Sequence, residues 1–292
     1  MGDPYMRLAN VDGRALLLTA DDSGVDVERA SGGEFGPGLD SVYDAWSAFA
    51  GWAGSVDTDT QEGVTFDRSQ LGSPSPSPRQ VVAIGLNYSE HAAESGFAVP
   101  DTLPPTFTKF VSAITGPDSV VELPPKGNTD WEVELVAVIG RIAQNVTEGD
   151  AWDYVAGLTV GQDISERITQ AAGPSPQFSL GKSFPGFAPV GPWLVTPDSV
   201  PNKDDLALGC AIDGETVQDG RTSGLVFSVS TLIAKLSAII TLYPGDLIFT
   251  GTPSGVGLGR TPQRFLKDGE KLESWIEGIG RLNQSFLDGK EI

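Results

Sequence analysis

The stretch TDWEVELVAVIGR, residues 129–141, carries more of the fold than any other in this chain. Its second half, LVAVIG, is a short unbroken apolar run ended by glycine, which reads as a buried strand. Its first half places Asp130, Glu132 and Glu134 two residues apart. On a strand that period puts all three carboxylates on one face. Carboxylates crowded on one face repel unless they are solvated, protonated or bound to a cation. Because the strand continues into the interior, full solvation of Glu134 is not expected, and a hard divalent ion with oxygen ligands resolves the conflict. A solvated face of an edge strand is the competing reading for this segment alone. Nitrogen and sulfur ligation of zinc is excluded by inventory: the chain has one histidine and one cysteine, and neither lies nearby in sequence.

Working outward, further strands are expected in YVAGLTVGQD, in PVGPWLVT and, as a hairpin, in LALGCAIDGETVQ. QVVAIGLNY is a short buried strand, and LYPGDLIFTGTPSGVG is a turn, a buried strand and a glycine-rich loop. LVFSVSTLIAKLSAII has the clearest helical periodicity. Residues 5–30 alternate about Asp12-Gly13 and predict a β-hairpin; LDSVYDAWSAFAGWAG predicts helix. In LGSPSPSPRQ three prolines alternate with serines, predicting an extended linker or domain edge. The expected organisation is a small N-terminal domain over 1–72, a linker at 73–79 and a larger domain over 80–292. The 36 glycines and 21 prolines among 292 residues favour a strand-rich α+β chain over a helical bundle.

Acidic residues outnumber basic ones 39 to 19, a net charge of -20, which argues against nucleic acid and against anionic membranes. An anionic substrate therefore needs local cations. No signal peptide or apolar span of membrane length is legible, so a cytoplasmic protein is expected. Cys210, in an apolar stretch, reads as a small buried residue. Two apparent nucleotide motifs fail: LGKS at 180–183 has Pro176 where a phosphate loop needs glycine, and GVGLGR at 255–260 has Arg260 in place of the third glycine of a dinucleotide fingerprint. Asp163 ends an apolar run and reads equally well as a metal ligand or as a helix N-cap. His91 and Glu94, three apart in SEHAAES, would share a helical face.

Taken in order, AIGLNYSEHAAESG, SAITGPDSVVELP, DWEVELVAVIGR, VAGLTVGQDISERITQ, LGKSFPGFAPVGPWLV, IDGETVQ and LSAIITLYPGDLIFTGTPSGVG resemble the fumarylacetoacetate hydrolase family across residues ~80–280. The resemblance implies a mixed β-sandwich roll after a small N-terminal domain, commonly as a homodimer. It implies Mg²⁺ or Mn²⁺ held by Glu132, Glu134 and Asp163, with His91 and Glu94 as the catalytic pair on a lid. Lys182 matches the family's site lysine. Gln170 and Thr252 match substrate-side polar groups; Lys109, a second recurrent lysine, and Arg167, the arginine after the metal-binding aspartate, are expected to bind substrate too, with a structural salt bridge the alternative for Arg167. Asp130 is left as a supporting or lid-facing group. Gln162, Glu166 and Ile168 depart from the family's usual Asn, Ala and Asp. The implied chemistry is cleavage of a carbon–carbon bond in a 2-oxo or 1,3-dicarbonyl acid: His91, oriented by Glu94, deprotonates water, and Lys182 with Gln170 stabilises the oxyanion. Decarboxylation or isomerisation of an oxaloacetate-like acid is the alternative.

Overall fold

The computed structural model describes residues 6–90, 102–200 and 202–290; His91 and Glu94 lie outside the described residues. The fold is a strand-rich α+β sandwich. Three adjacent antiparallel strands, Val133–Ile139, Val155–Gln162 and Ala188–Val195, are buried at every position. That explains why they read as unbroken apolar runs rather than alternating ones. The sheet extends beyond Val133–Ile139 through Leu247–Phe249, Val81–Ile84 and Thr106–Thr108. The Leu247–Phe249 and Val81–Ile84 pair is parallel, so the sheet is mixed.

A second, five-stranded sheet packs across the first. It contains the Ala207–Ile212 and Glu215–Arg221 hairpin, the strands Lys271–Ile276 and Gly280–Asp288, and the parallel strand Asp118–Leu123. Lys271–Ile276 alternates exposed and buried residues, as expected for a sheet with one face in solvent. The hairpin turn places Asp213 at φ 48 and Gly214 at φ 85, the left-handed pair that a tight two-residue connection requires.

The N-terminal strands continue the large sheet. Arg7–Val11 pairs with Arg14–Ala20 about the expected Asp12-Gly13 turn, and on its other side joins Ala188–Val195 through Leu8 and Leu194. Strands on both sides of residues 73–79 thus share one sheet. The Ser-Pro segment, expected to be extended, bends at residues 74–77 and is partly buried: Ser75 Oγ donates to the Gly245 carbonyl at 2.6 Å, and the Tyr43 hydroxyl donates to the Pro74 carbonyl at 2.7 Å. Residues 39–53 form two helices, Leu39–Asp44 and Trp46–Ala53. Trp46 closes over Gly140 at the end of the central strand, where a Cβ would meet its ring at 2.6 Å. The helix expected over 225–240 is confined to Val229–Ser237 and is capped by Ser228, which accepts from the Thr231 amide. Among the described residues no helix is long and apolar enough to cross a membrane.

Gly161 stands opposite Glu134 in the ladder, and a Cβ there would lie 2.4 Å from Val136 Cγ2 and 2.7 Å from Phe249 Cε1. Overpacking a filled interior typically costs about 1–3 kcal/mol. Gly161→Ala should lower the unfolding free energy by about that amount, read as an earlier urea midpoint at unchanged slope.

Candidate metal site

The predicted face of three carboxylates is interrupted. The regular strand begins only at Val133, and Asp130 belongs to a short separate pairing of Thr129–Asp130 with Ser165–Glu166. Trp131 and Glu132 lie between, off the ladder. Two glutamine side chains take over there. Gln162 Oε1 accepts the Glu132 amide at 2.9 Å, and Gln218 Oε1 accepts the Val133 amide at 3.0 Å. The Glu132 carbonyl accepts from the Asp163 amide at 2.9 Å, drawing the two acids together. Sequence reasoning missed Gln218 altogether and saw Gln162 only as a departure from the family pattern. Nothing local to residue 218 signals that its hairpin crosses to the carboxylate strand.

Glu132, Glu134 and Asp163 each offer an oxygen, and these oxygens lie within 4.8 Å of one another in the interior. Burial pushes the Glu134 carboxyl well above the usual carboxylate range, and the charges of Asp163 and Glu132 push it further. Its hydrogen bond from the Gly251 amide at 2.7 Å does not offset that. A buried carboxylate in this position is stable only protonated or beside a cation. Each ionised oxygen can accept more than one partner, so the bonds already present leave room for a metal ion. The all-oxygen donor set suits Mg²⁺ or Mn²⁺.

Around the acids stand three cations. Lys182 Nζ donates to Glu132 Oε2 at 2.8 Å, Asp163 Oδ2 at 2.6 Å and Ser165 Oγ at 2.8 Å. Burial opposes its charge, but Asp163 and Glu132 outweigh burial and hold its pKa above the ordinary lysine value. An ammonium has three protons, and these bonds engage all of them. The oxyanion role expected of Lys182 thus meets an ammonium already committed, and its effect on a ligand comes through charge. Lys109, expected on the substrate side, does not line the cavity. Its ammonium reaches Asp163 Oδ1 at 2.5 Å and also donates to the Lys182 carbonyl. Burial lowers its pKa despite the Asp163 charge.

Arg167 binds Asp130 through Nε at 2.9 Å and a terminal nitrogen at 2.6 Å, and its other terminal nitrogen reaches Glu132 Oε1 at 2.8 Å and Gln170 Oε1 at 2.9 Å. Asp130 also accepts the Gly257 and Leu258 amides at 2.7 and 2.9 Å. It therefore anchors the glycine-rich loop instead of joining the cluster of Glu132, Glu134 and Asp163. The helix N-cap is Glu166, which accepts from Ile168 and Thr169, and Asp163 is free for the cluster. Thr252 lines the cavity, but its hydroxyl donates to the Val133 carbonyl at 2.9 Å and accepts from Gln218 at 2.8 Å.

Glu132, Glu134, Arg167, Gln170, Lys182 and Thr252 line a cavity of about 410 Å³, within the range of small-molecule sites (roughly 300–1,000 Å³). A larger groove of about 750 Å³, by Asp118, Asp213 and Lys271 on the five-stranded sheet, has no comparable cluster of buried acids among the described residues.

With this geometry in place, known proteins supply the family. The model of the fumarylacetoacetate (FAA) hydrolase C-terminal domain matches residues 80–287. The chain belongs to the fumarylacetoacetate hydrolase family. A Mycobacterium smegmatis protein solved under a provisional HpcE designation is 54% identical, with TM-score 0.91 over 98% of this chain and 100% of that one. Human mitochondrial oxaloacetate tautomerase FAHD2A is 45% identical over 208 residues, 71% of this chain and 66% of that protein. Maleylpyruvate hydrolase from Sphingobium sp. SYK-6, solved with manganese(II) and pyruvate, is 28% identical, with TM-score 0.79 over 98% of this chain and 100% of that one.

Replacing Glu134 with Gln removes one of the mutually repelling charges. Metal-free Glu134→Gln should melt at the same temperature as the parent or higher. With Mn²⁺ at 100 times the parent Kd, the parent gains about 2.7 kcal/mol, and the variant should lose most of that gain. Thermal denaturation with and without Mn²⁺ reads both effects.

Proposed function

We propose that this protein is a divalent-metal-dependent enzyme that cleaves a carbon–carbon bond in a 2-oxo or 1,3-dicarbonyl acid by hydrolysis. The carrying observation is the buried cluster of Glu132, Glu134 and Asp163, of which Glu132 and Glu134 line the cavity. Its relation to maleylpyruvate hydrolase, solved with manganese(II) and pyruvate, supports the choice of metal and of substrate head group. Glu132, Glu134 and Asp163 would hold Mg²⁺ or Mn²⁺, which when bound supplies Lewis acidity and a template for adjacent oxygens.

The chain's own groups do the rest. Lys182 and Arg167 supply positive charge beside an anionic ligand, and Gln170 offers an amide at the cavity wall. His91 takes a proton from water, with Glu94 orienting the imidazole; this pair rests on the family resemblance. The water oxygen bonds to the distal carbonyl carbon, the neighbouring carbon–carbon bond breaks, and the departing carbon takes a proton. An acylpyruvate thus becomes a carboxylic acid and pyruvate. A cytoplasmic homodimer belongs to the same proposal.

A second reading is favoured by the 45% identity to oxaloacetate tautomerase. There, His91 would move a proton between carbon and oxygen of an oxaloacetate-like acid, and no water would attack.

The two separate by product. Mn²⁺-loaded protein offered an acylpyruvate should release equimolar pyruvate and acid. Decay of enol absorbance from oxaloacetate, with no product formed from acylpyruvate, would replace hydrolysis by tautomerisation. In either reading His91→Ala should lower kcat by about 10²–10⁴-fold, the usual worth of a general base, while Mn²⁺ still raises the melting temperature. Undiminished turnover by folded His91→Ala would remove the histidine from the mechanism.

A further inference from the structure

We infer that Gln218 is a positioning residue for the metal site: it fixes the spacing of Glu132 and Glu134 and so sets how tightly the site holds a divalent ion. The inference rests on the divalent-metal reading above and gives the second sheet a part in it.

Val133 is the residue between the two glutamates. Two peptide planes therefore join their Cα atoms, one carrying the Val133 N–H and the other its carbonyl. Both are held by one device. Gln218 Oε1 accepts the Val133 amide at 3.0 Å, Gln218 Nε2 donates to Thr252 Oγ1 at 2.8 Å, and the Thr252 hydroxyl donates to the Val133 carbonyl at 2.9 Å. The three bonds close a ring through the backbone of Val133. With both planes fixed, neither glutamate can turn its backbone without breaking a buried hydrogen bond, and a buried polar group left unpaired is costly.

The amide of a glutamine offers two donors and two acceptor positions. In Gln218 the remaining two are taken by the Pro253 carbonyl, which accepts from Nε2 at 2.8 Å, and by Cys210 Sγ, which donates to Oε1 at 3.2 Å. All four bonds are to protein groups, and the residue is 1% exposed. Gln218 therefore acts on an ion through the groups it holds.

Its anchor is the second sheet. Gln218 stands opposite Cys210 in the hairpin ladder, and Cys210 pairs on its other side with Ser274. Ser274 Oγ accepts from Gln162 at 2.8 Å, and Gln162 Oε1 holds the Glu132 amide. The two glutamines thus end on neighbouring positions of one sheet. The loop beyond Thr252 lies directly on the same hairpin: a Cβ on Gly255, at φ 107, would sit 2.2 Å from the Val217 carbonyl oxygen.

Mn²⁺ binding without substrate tests this, with free Mn²⁺ counted by its electron paramagnetic resonance signal. Gln218→Met keeps the length of the side chain and removes its amide. It should raise the Mn²⁺ Kd about 10–100-fold, the usual cost of losing a group that orients metal ligands. Gln284→Met is the control: it removes another buried glutamine of the same sheet, one that bonds the Pro117 carbonyl, and should lower the melting temperature without changing the Mn²⁺ Kd. Thr252→Val opens the ring and should weaken Mn²⁺ binding, whereas Thr252→Ser keeps the hydroxyl and should restore it; this pair decides the matter where Gln218→Met does not fold. A parent-like Kd for folded Gln218→Met or for Thr252→Val would overturn the inference, as would equal weakening by Gln284→Met. If the parent itself binds no Mn²⁺, the metal reading falls first and this inference with it.

Discussion

Like charges confined in a dry space govern this molecule. Glu132, Glu134 and Asp163 sit in the interior with their oxygens within reach of one ion, and no hydrophobic packing can make that arrangement favourable. Lys109 and Lys182 both hold Asp163, and Arg167 joins Glu132 to Asp130. Glu134 is the member least compensated. Its bond comes from a backbone amide, and its carboxyl is correspondingly pushed upward. Glu134 is therefore the group that must be either protonated or beside a further cation.

The backbone is shaped to serve that cluster. A continuous strand through residues 130–139 would have pointed Asp130 into the cluster as a fourth acid. Breaking the ladder at Trp131 and Glu132 sends Asp130 to Arg167 and the Gly257–Leu258 amides instead. The amides freed by the break are taken by Gln162 and Gln218, one from the neighbouring strand and one from the second sheet. The sandwich therefore does more than bury surface: its two layers meet at the carboxylates, and Gln218 also fixes Thr252 in the loop above them.

Much of this was legible in the residues. The apolar runs gave the central strands because burial on both faces leaves an uninterrupted pattern; the Glu-x-Glu spacing pointed to crowded carboxylates, and the family resemblance added Asp163 to them. The long-range partners were not legible. Asp130 looked equivalent to Glu132 and Glu134 because a break in a strand has no local signature, and Lys109 looked substrate-facing because its partner Asp163 lies 54 residues away in sequence. Glu166 supplanted Asp163 as the helix cap through a choice between two nearby acids that only the backbone path decides. The strands Lys271–Ile276 and Gly280–Asp288 lie in a charged, alternating stretch whose pattern is weaker than that of the buried core.

The same arrangement offers a divalent ion three carboxylates in one buried patch. The most direct test of that account is an anomalous difference map from crystals soaked in Mn²⁺. The account predicts one strong peak per chain, bounded by Glu132, Glu134 and Asp163, with Lys109 and Lys182 still on the outer oxygens of Asp163. Absence of a peak there at saturating Mn²⁺, with the three carboxylates held by lysine and arginine alone, would contradict it.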